Sequence, residues 1–322
     1  MKEIIQQLLS ARECKKFQHL FGTALFKSKV KKQWSCFGNA NTWIQFIHSL
    51  TTLCNRYRSS ILIDFATPNE WCDFVDFFHY TITQLSVFMP SLSHLLLIHL
   101  DDYLLFIVHK DTLLSRINRD YENDFKHYQF IDVSPKLSNP IKCNSRDLHI
   151  NQLKIILDIV KKEIENSNSN NSKIKSIDCV QLLDESVMNS IYLPIVSGWF
   201  CEYPVIYCNS ADCKECSLLN QQQQKREWDD NCLSSCDNLI RFVVYLNTLE
   251  SGFDKELDKV ESLHCLTSFT YPLSLVEQQH IDRFKETIES RLNSNDSNGD
   301  MIKVWKNYKV ESEIVQLASI RL

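Results

Sequence analysis

Apolar residues in this chain recur at two periods. One cleanly helical stripe runs Leu153, Ile156, Leu157, Val160 and Ile164, the 3.6-residue spacing that puts one face of a helix against a core. Trp43, Phe46, Ile47, Leu50, Leu53, Cys54 and Tyr57 predict a second amphipathic helix. Weaker helical patterns cover Ile4–Phe21 and Leu113–Asn123. A short apolar run at Ile61–Ala66 has the look of a strand buried on both faces, and Tyr128–Val133 reads as a further strand. Two further runs, His94–His99 and Tyr103–His109, predict a hairpin turned at Asp101 and Asp102, since aspartate suits a turn and resists burial in a strand.

Local punctuation refines the pattern. Thr67-Pro68-Asn69-Glu70 and Ser274-Leu275-Val276-Glu277 read as helix starts, with a hydroxyl cap and a glutamate three residues on. The first, following the Ile61 run, suggests a β-α-β unit; the second opens a helix through Ile281, Phe284, Ile288 and Leu292. Ser186–Trp199 predicts an apolar helix made irregular by Pro194. Tyr203–Tyr207 and Leu239–Leu246 suggest two strands of one sheet joined by a long cysteine-bearing insert. Phe269 and Tyr271 mark another strand, and Glu313–Ile320 alternates like a closing edge or meander strand. Polar stretches near 166–173, 209–230 and 293–300 predict mobile loops. Residues 1–322 therefore read as a single α/β (α+β) domain, with a central mixed sheet of about six to eight strands and helices packed on it.

Composition narrows the setting. Hydrophobic residues at 44% and charged residues at 23% suit a sizeable core. No unbroken apolar stretch approaches the roughly 20 residues of a spanning helix, so no membrane is expected. A net charge of −5 gives no basic footprint for nucleic acid. Thirteen scattered cysteines, without a signal-peptide pattern, predict free thiols in the cytoplasm or nucleus.

Several segments resemble one family in both sequence and order. They are Phe130-Ile131-Asp132-Val133-Ser134, Tyr203-Pro204-Val205-Ile206-Tyr207, Asn231-Cys232-Leu233, Ser268-Phe269-Thr270-Tyr271-Pro272 and Ser312-Glu313-Ile314-Val315-Gln316-Leu317. Together they resemble the uncharacterised eukaryotic family named for chromosome one open reading frame seventy-four. The resemblance implies one domain of unknown function and no particular activity. The Asn/Ser loop and the insert after Tyr207 depart from the family pattern.

The chemistry in the sequence is sparse. Five glycines, none in a phosphate-loop or dinucleotide pattern, leave no backbone cradle of those kinds. The zinc-protease and serine-hydrolase signatures H-E-x-x-H and G-x-S-x-G are absent. Cys213-x2-Cys216 and Cys232-x3-Cys236 approach the spacing of a structural zinc site, against the plainer reading of a tolerated surface insertion; no other cofactor is expected. Asp64 and Asp132, near the ends of apolar strands, are candidates for a metal-binding or acid–base pair, or else for turn caps. Cys232 with His264 is a candidate nucleophile and base, or else an ordinary buried thiol and an unrelated histidine. Two function classes stay open: a non-enzymatic scaffold with an unidentified protein partner, and a metal-assisted hydrolase or transferase using strand-end carboxylates.

Overall fold

The computed structural model describes residues 40–64, 90–101, 104–135, 137–144, 146–169, 176–209, 232–235, 238–248, 263–293 and 305–315, with isolated positions between 75 and 86. The chain is α/β, its strands shared among three sheets. Helix α1 (Ala40–Cys54) leads into β1 (Ser60–Leu62). A 3₁₀ turn at Pro90–His94 precedes the hairpin β2 (Leu95–Asp101) and β3 (Leu104–His109), and α2 (Lys110–Glu122) follows. Next come β4 (Gln129–Asp132), β5 (Ile141–Lys142), α3 (Arg146–Ser169) and β6 (Ser176–Asp178). Short helices α4 (Cys179–Leu182) and α5 (Glu185–Met188) lead to α6 (Leu193–Phe200) and β7 (Val205–Cys208). A 3₁₀ turn at Cys232–Ser235 precedes β8 (Leu239–Thr248), β9 (Leu263–Pro272), α7 (Gln278–Asn293) and β10 (Trp305–Val315).

The hairpin forms, with β2 and β3 antiparallel at the centre of the sheet β1-β3-β2-β6; Asp101 is the last residue of β2, opposite Leu104, and residues 102–103 lie outside the described residues. β6 joins it in parallel. β8 is the middle strand of the antiparallel sheet β10-β8-β9; the edge strand β10 takes in 313–315 of the alternating run, and 316–320 lie outside the described residues. In the sheet β5-β4-β7, β4 runs parallel to β7 and antiparallel to β5.

This small sheet separates two apolar cores. Phe130, Ile206 and Cys208 face the first core, with Leu96, Phe106, Ile117 and the inner stripe of α3. Ile131, Val133 and Val205 face the second, with Phe242, Phe269, Phe284 and Ile288. The alternation is the two-residue period of a strand working on both faces at once, and it explains why the adjacent residues Phe130 and Ile131 are both apolar.

Four expectations are revised. Tyr203–Tyr207 and Leu239–Leu246 do not pair: β7 finds its ladder on β4, while β8 lies between β9 and β10 in a separate sheet. The Ile61 run gives a three-residue edge strand antiparallel to β3, so it does not open a parallel β-α-β unit; Ile61 and Leu62 are half-buried because an edge strand is covered less completely. The apolar segment from Ser186 to Trp199 is two helices, and Pro194 sits in the first turn of α6, where its missing N–H costs nothing. The Asn/Ser run is helical as far as Ser169, because the packed stripe of α3 carries the helix past the end of its apolar positions. The helix expected over Ile4–Phe21 and most of the segment after Thr67 lie outside the described residues.

Candidate functional site

Two polar assemblies stand out in the interior. The first is an ionic network at the junction of α1, α2, α6 and α7. Asp120, 0% exposed, accepts hydrogen bonds from Trp199 Nε1 at 2.9 Å and Tyr128 Oη at 2.8 Å, with Arg119 Nη2 at 2.9 Å and His127 Nε2 3.0 Å away. Arg116 lies over the Trp199 ring at 3.8 Å and donates to Ser59 Oγ and to the Trp199 carbonyl. Glu202, 8% exposed, accepts from Ser59 N at 2.5 Å, Ser59 Oγ at 2.7 Å and Arg291 Nη1 at 2.5 Å. Arg58 donates to the Leu266 and Cys201 carbonyls. Burial alone would raise both carboxyl pKa values. For Asp120, His127, Arg116 and Arg119 outweigh burial and lower it to about 2. For Glu202, Arg291, Arg116 and Arg58 do the same and hold it well below the usual carboxylate range. These charges are spent on one another and on carbonyl oxygens, so the network ties elements together.

The second assembly lies at the carboxyl ends of β4 and β7, where ligands gather in α/β sheets. Asp132, at the end of β4 and 3% exposed, accepts from Ser134 N at 2.9 Å and Ser134 Oγ at 2.5 Å. That is the turn cap the sequence offers for this residue. Ser134 Oγ is also 2.5 Å from Asn209 Oδ1. One hydroxyl proton serves one oxygen, so the Asn209 amide is best turned with its nitrogen toward Ser134.

Beside Asp132, three side chains converge. Cys143 follows β5, Cys208 ends β7, and His149 stands in the first turns of α3. Their sulfur and ring-nitrogen atoms lie within 4.8 Å of one another. His149 is 1% exposed, and neither of its ring nitrogens has a hydrogen-bond partner. Cys143 is half-buried and gives the cluster its outward side. A hydrogen bond to Cys143, followed by burial, keeps the Cys208 thiol protonated well above its ordinary value. Tyr192 lies close enough to Cys208, Asp132 and Cys232 that burial and these groups hold its phenol protonated.

A second group, His94, His109 and Asp111, also has metal-ligand spacing. Its atoms already serve structure: His94 Nδ1 pairs with Asp111 at 2.6 Å, and His109 caps α2 through Thr112 N.

The candidate residues read from the sequence are dispersed. Asp64 is exposed after β1, in a different sheet from Asp132, so the two are not on neighbouring parallel strands. Cys232 is buried in the second core, its N–H bonded to the Val133 carbonyl at 3.2 Å. His264, on β9, faces the His48 ring at 4.8 Å, and burial, His48 and Arg58 lower its pKa to about 3. Cys213, Cys216 and Cys236 lie outside the described residues.

The sequence pattern described as Domain of unknown function (DUF4504) matches residues 26–322. The chain belongs to the DUF4504 family. The matched span of the DUF4504 domain takes in both cores, the ionic network and the strand-end cluster. Comparison with curated proteins gives no match. Comparison with solved structures gives none either. Among the described residues, no helix of the DUF4504 domain is long and apolar enough to cross a membrane.

Sequence reasoning missed Cys143 and His149. Their separation of six positions matches no common knuckle spacing, and Cys208 is far along the chain. Their only sequence trace is a cysteine beside a short strand and a histidine on the apolar face of a helix.

Proposed function

We propose that the domain is an enzyme of the metal-assisted kind, a hydrolase or transferase, working at the carboxyl ends of β4 and β7. The supporting observation is convergence: Asp132, Ser134, Asn209, Tyr192, Cys143, His149 and Cys208 come from five separate segments to one strand-end site. In this reading Asp132 is the strand-end carboxylate available for acid–base work, and Asp64 takes no part. The free thiols among the described cysteines support a reducing compartment, cytoplasm or nucleus. The ordered segment resemblance supports placement with the family named for chromosome one open reading frame seventy-four.

The test is turnover by the full chain of chromogenic phosphate, acyl and glycosyl esters with Zn²⁺ or Mg²⁺ supplied. At least one class should be hydrolysed, and Asp132→Asn should slow it by about 10²–10⁴-fold without changing the melting temperature by more than a few degrees. No turnover of any class would return the domain to the scaffold reading.

A further inference from the structure

The geometry points to a zinc centre held by Cys143, His149 and Cys208. The inference deepens the proposed function, resting on the same strand-end site and naming its metal and ligands.

The first argument is polar accounting. A buried imidazole with both nitrogens unbonded is an exception that needs a reason, since each unmade hydrogen bond costs about 1–3 kcal/mol. His149 is not stranded among hydrocarbon; it stands opposite two thiols, within 4.8 Å of both. A metal ion between the three groups takes one ring nitrogen as ligand, leaving one orphan atom where there were two.

The second argument separates a metal centre from a disulfide. In the order β5-β4-β7, Cys143 and Cys208 lie on opposite sides of β4: Cys143 N bonds the Phe130 carbonyl, and Cys208 pairs with Asp132. Neighbouring strands are about 4.8 Å apart, so the two backbones, with β4 between them, stand two strand spacings from each other. A disulfide needs a Cα separation under about 7 Å, and reaching it would tear β4 from a partner. The thiols instead meet over β4 as free, hydrogen-bonded side chains. Two thiolates about 2.3 Å from a tetrahedral ion stand about 3.8 Å apart, inside the 4.8 Å within which the three ligand atoms already lie.

The third argument is ligand chemistry. Two sulfurs and an imidazole form a soft, borderline set that selects zinc over magnesium or calcium, which prefer oxygen. On binding, the two thiols release their protons to solvent and coordinate as thiolates. Cys232 is excluded from this set because it packs in the second core, across the sheet. Cys143, His149 and Cys208 are then the protein ligands of the centre.

The experiment is metal analysis of the full chain purified without chelator, followed by X-ray absorption at the zinc edge. About one zinc per chain is expected, with two sulfurs at about 2.3 Å and nitrogen or oxygen at about 2.0–2.1 Å. His149→Ala and Cys208→Ser should lower zinc content at least about tenfold, while Cys232→Ser keeps it. Where a variant fails to fold, cobalt(II) loaded into the wild-type chain decides the matter by its thiolate-to-metal absorption band, which Cys143→Ser should weaken. A metal-free wild type with no cobalt band overturns the inference. So does a four-sulfur shell, or zinc lost from Cys213→Ser and Cys216→Ser but kept in His149→Ala. Zinc present without turnover would leave the centre standing and fail only the enzyme reading; turnover without zinc would do the reverse.

Discussion

At the residue scale, Glu202 shows a local rule being overridden. It follows the last turn of α6 with φ of 57°, and the bonds Glu202 N to Trp199 O and Tyr203 N to Gly198 O make a Schellman ending. Glycine is favoured at such a position, and a side chain there costs about 1 kcal/mol or more. The carboxylate offsets that cost by binding Ser59 and Arg291. Both Asp120 and Glu202 have folded-state pKa values below their ordinary ones. Their stabilisation is therefore complete above about pH 5 and is lost as pH falls through 4 toward 2; for Asp120 it amounts to about 2 kcal/mol. Denaturant titrations at stepped pH should show this acid limb. Glu202→Gln should cost about 3–5 kcal/mol at pH 7, leaving Arg291 and Arg116 undercompensated, and should flatten the limb. A variant profile parallel to the wild type would count against the network. None of this was legible in the sequence, because a glutamate after an apolar helix looks like any solvent-facing charge.

At the element scale, apolar periodicity located most elements, and the errors cluster where a distant partner decides. The helix expected to open with a Ser274 capping box starts instead at Gln278. Its first turn is held by the Gln129 side chain, which donates to Leu275 O at 2.6 Å and accepts from Glu277 N at 2.9 Å. A residue 148 positions away takes the role assigned to the local serine. Gln129→Ala should thus cost about 1–3 kcal/mol. It should also speed amide exchange in the first turn of α7 more than Ser274→Ala does; equal effects would restore the local box. The β7–β8 misreading has the same origin, since strand pairing is set by packing that sequence spacing does not carry. Likewise Asp132 was legible as a strand-end carboxylate, whereas its thiol and imidazole neighbours come from elements that only the fold brings together.

At the scale of the molecule, the sheet β5-β4-β7 is a shared wall. Ile131 lies in one core and Phe130 in the other, on adjacent residues of one four-residue strand. Damage to either core must therefore reach the other. Ile131→Ala should cost about 2–5 kcal/mol. Unfolding followed by the fluorescence of Trp199, in the first core, and by amide exchange of β8, in the second, should give coincident transitions. Separate midpoints would mean that the wall does not couple them.

The ionic network has a further consequence for how the chain is made. Arg58, emerging early, bonds the Leu266 carbonyl, and Glu202 waits for Arg291. On the ribosome, the corner built around Ser59 keeps charges without their partners until almost the whole domain has been synthesised. A nascent chain stalled before Arg291 should bind chaperones that the completed chain no longer needs, so α7 also sets when folding can finish.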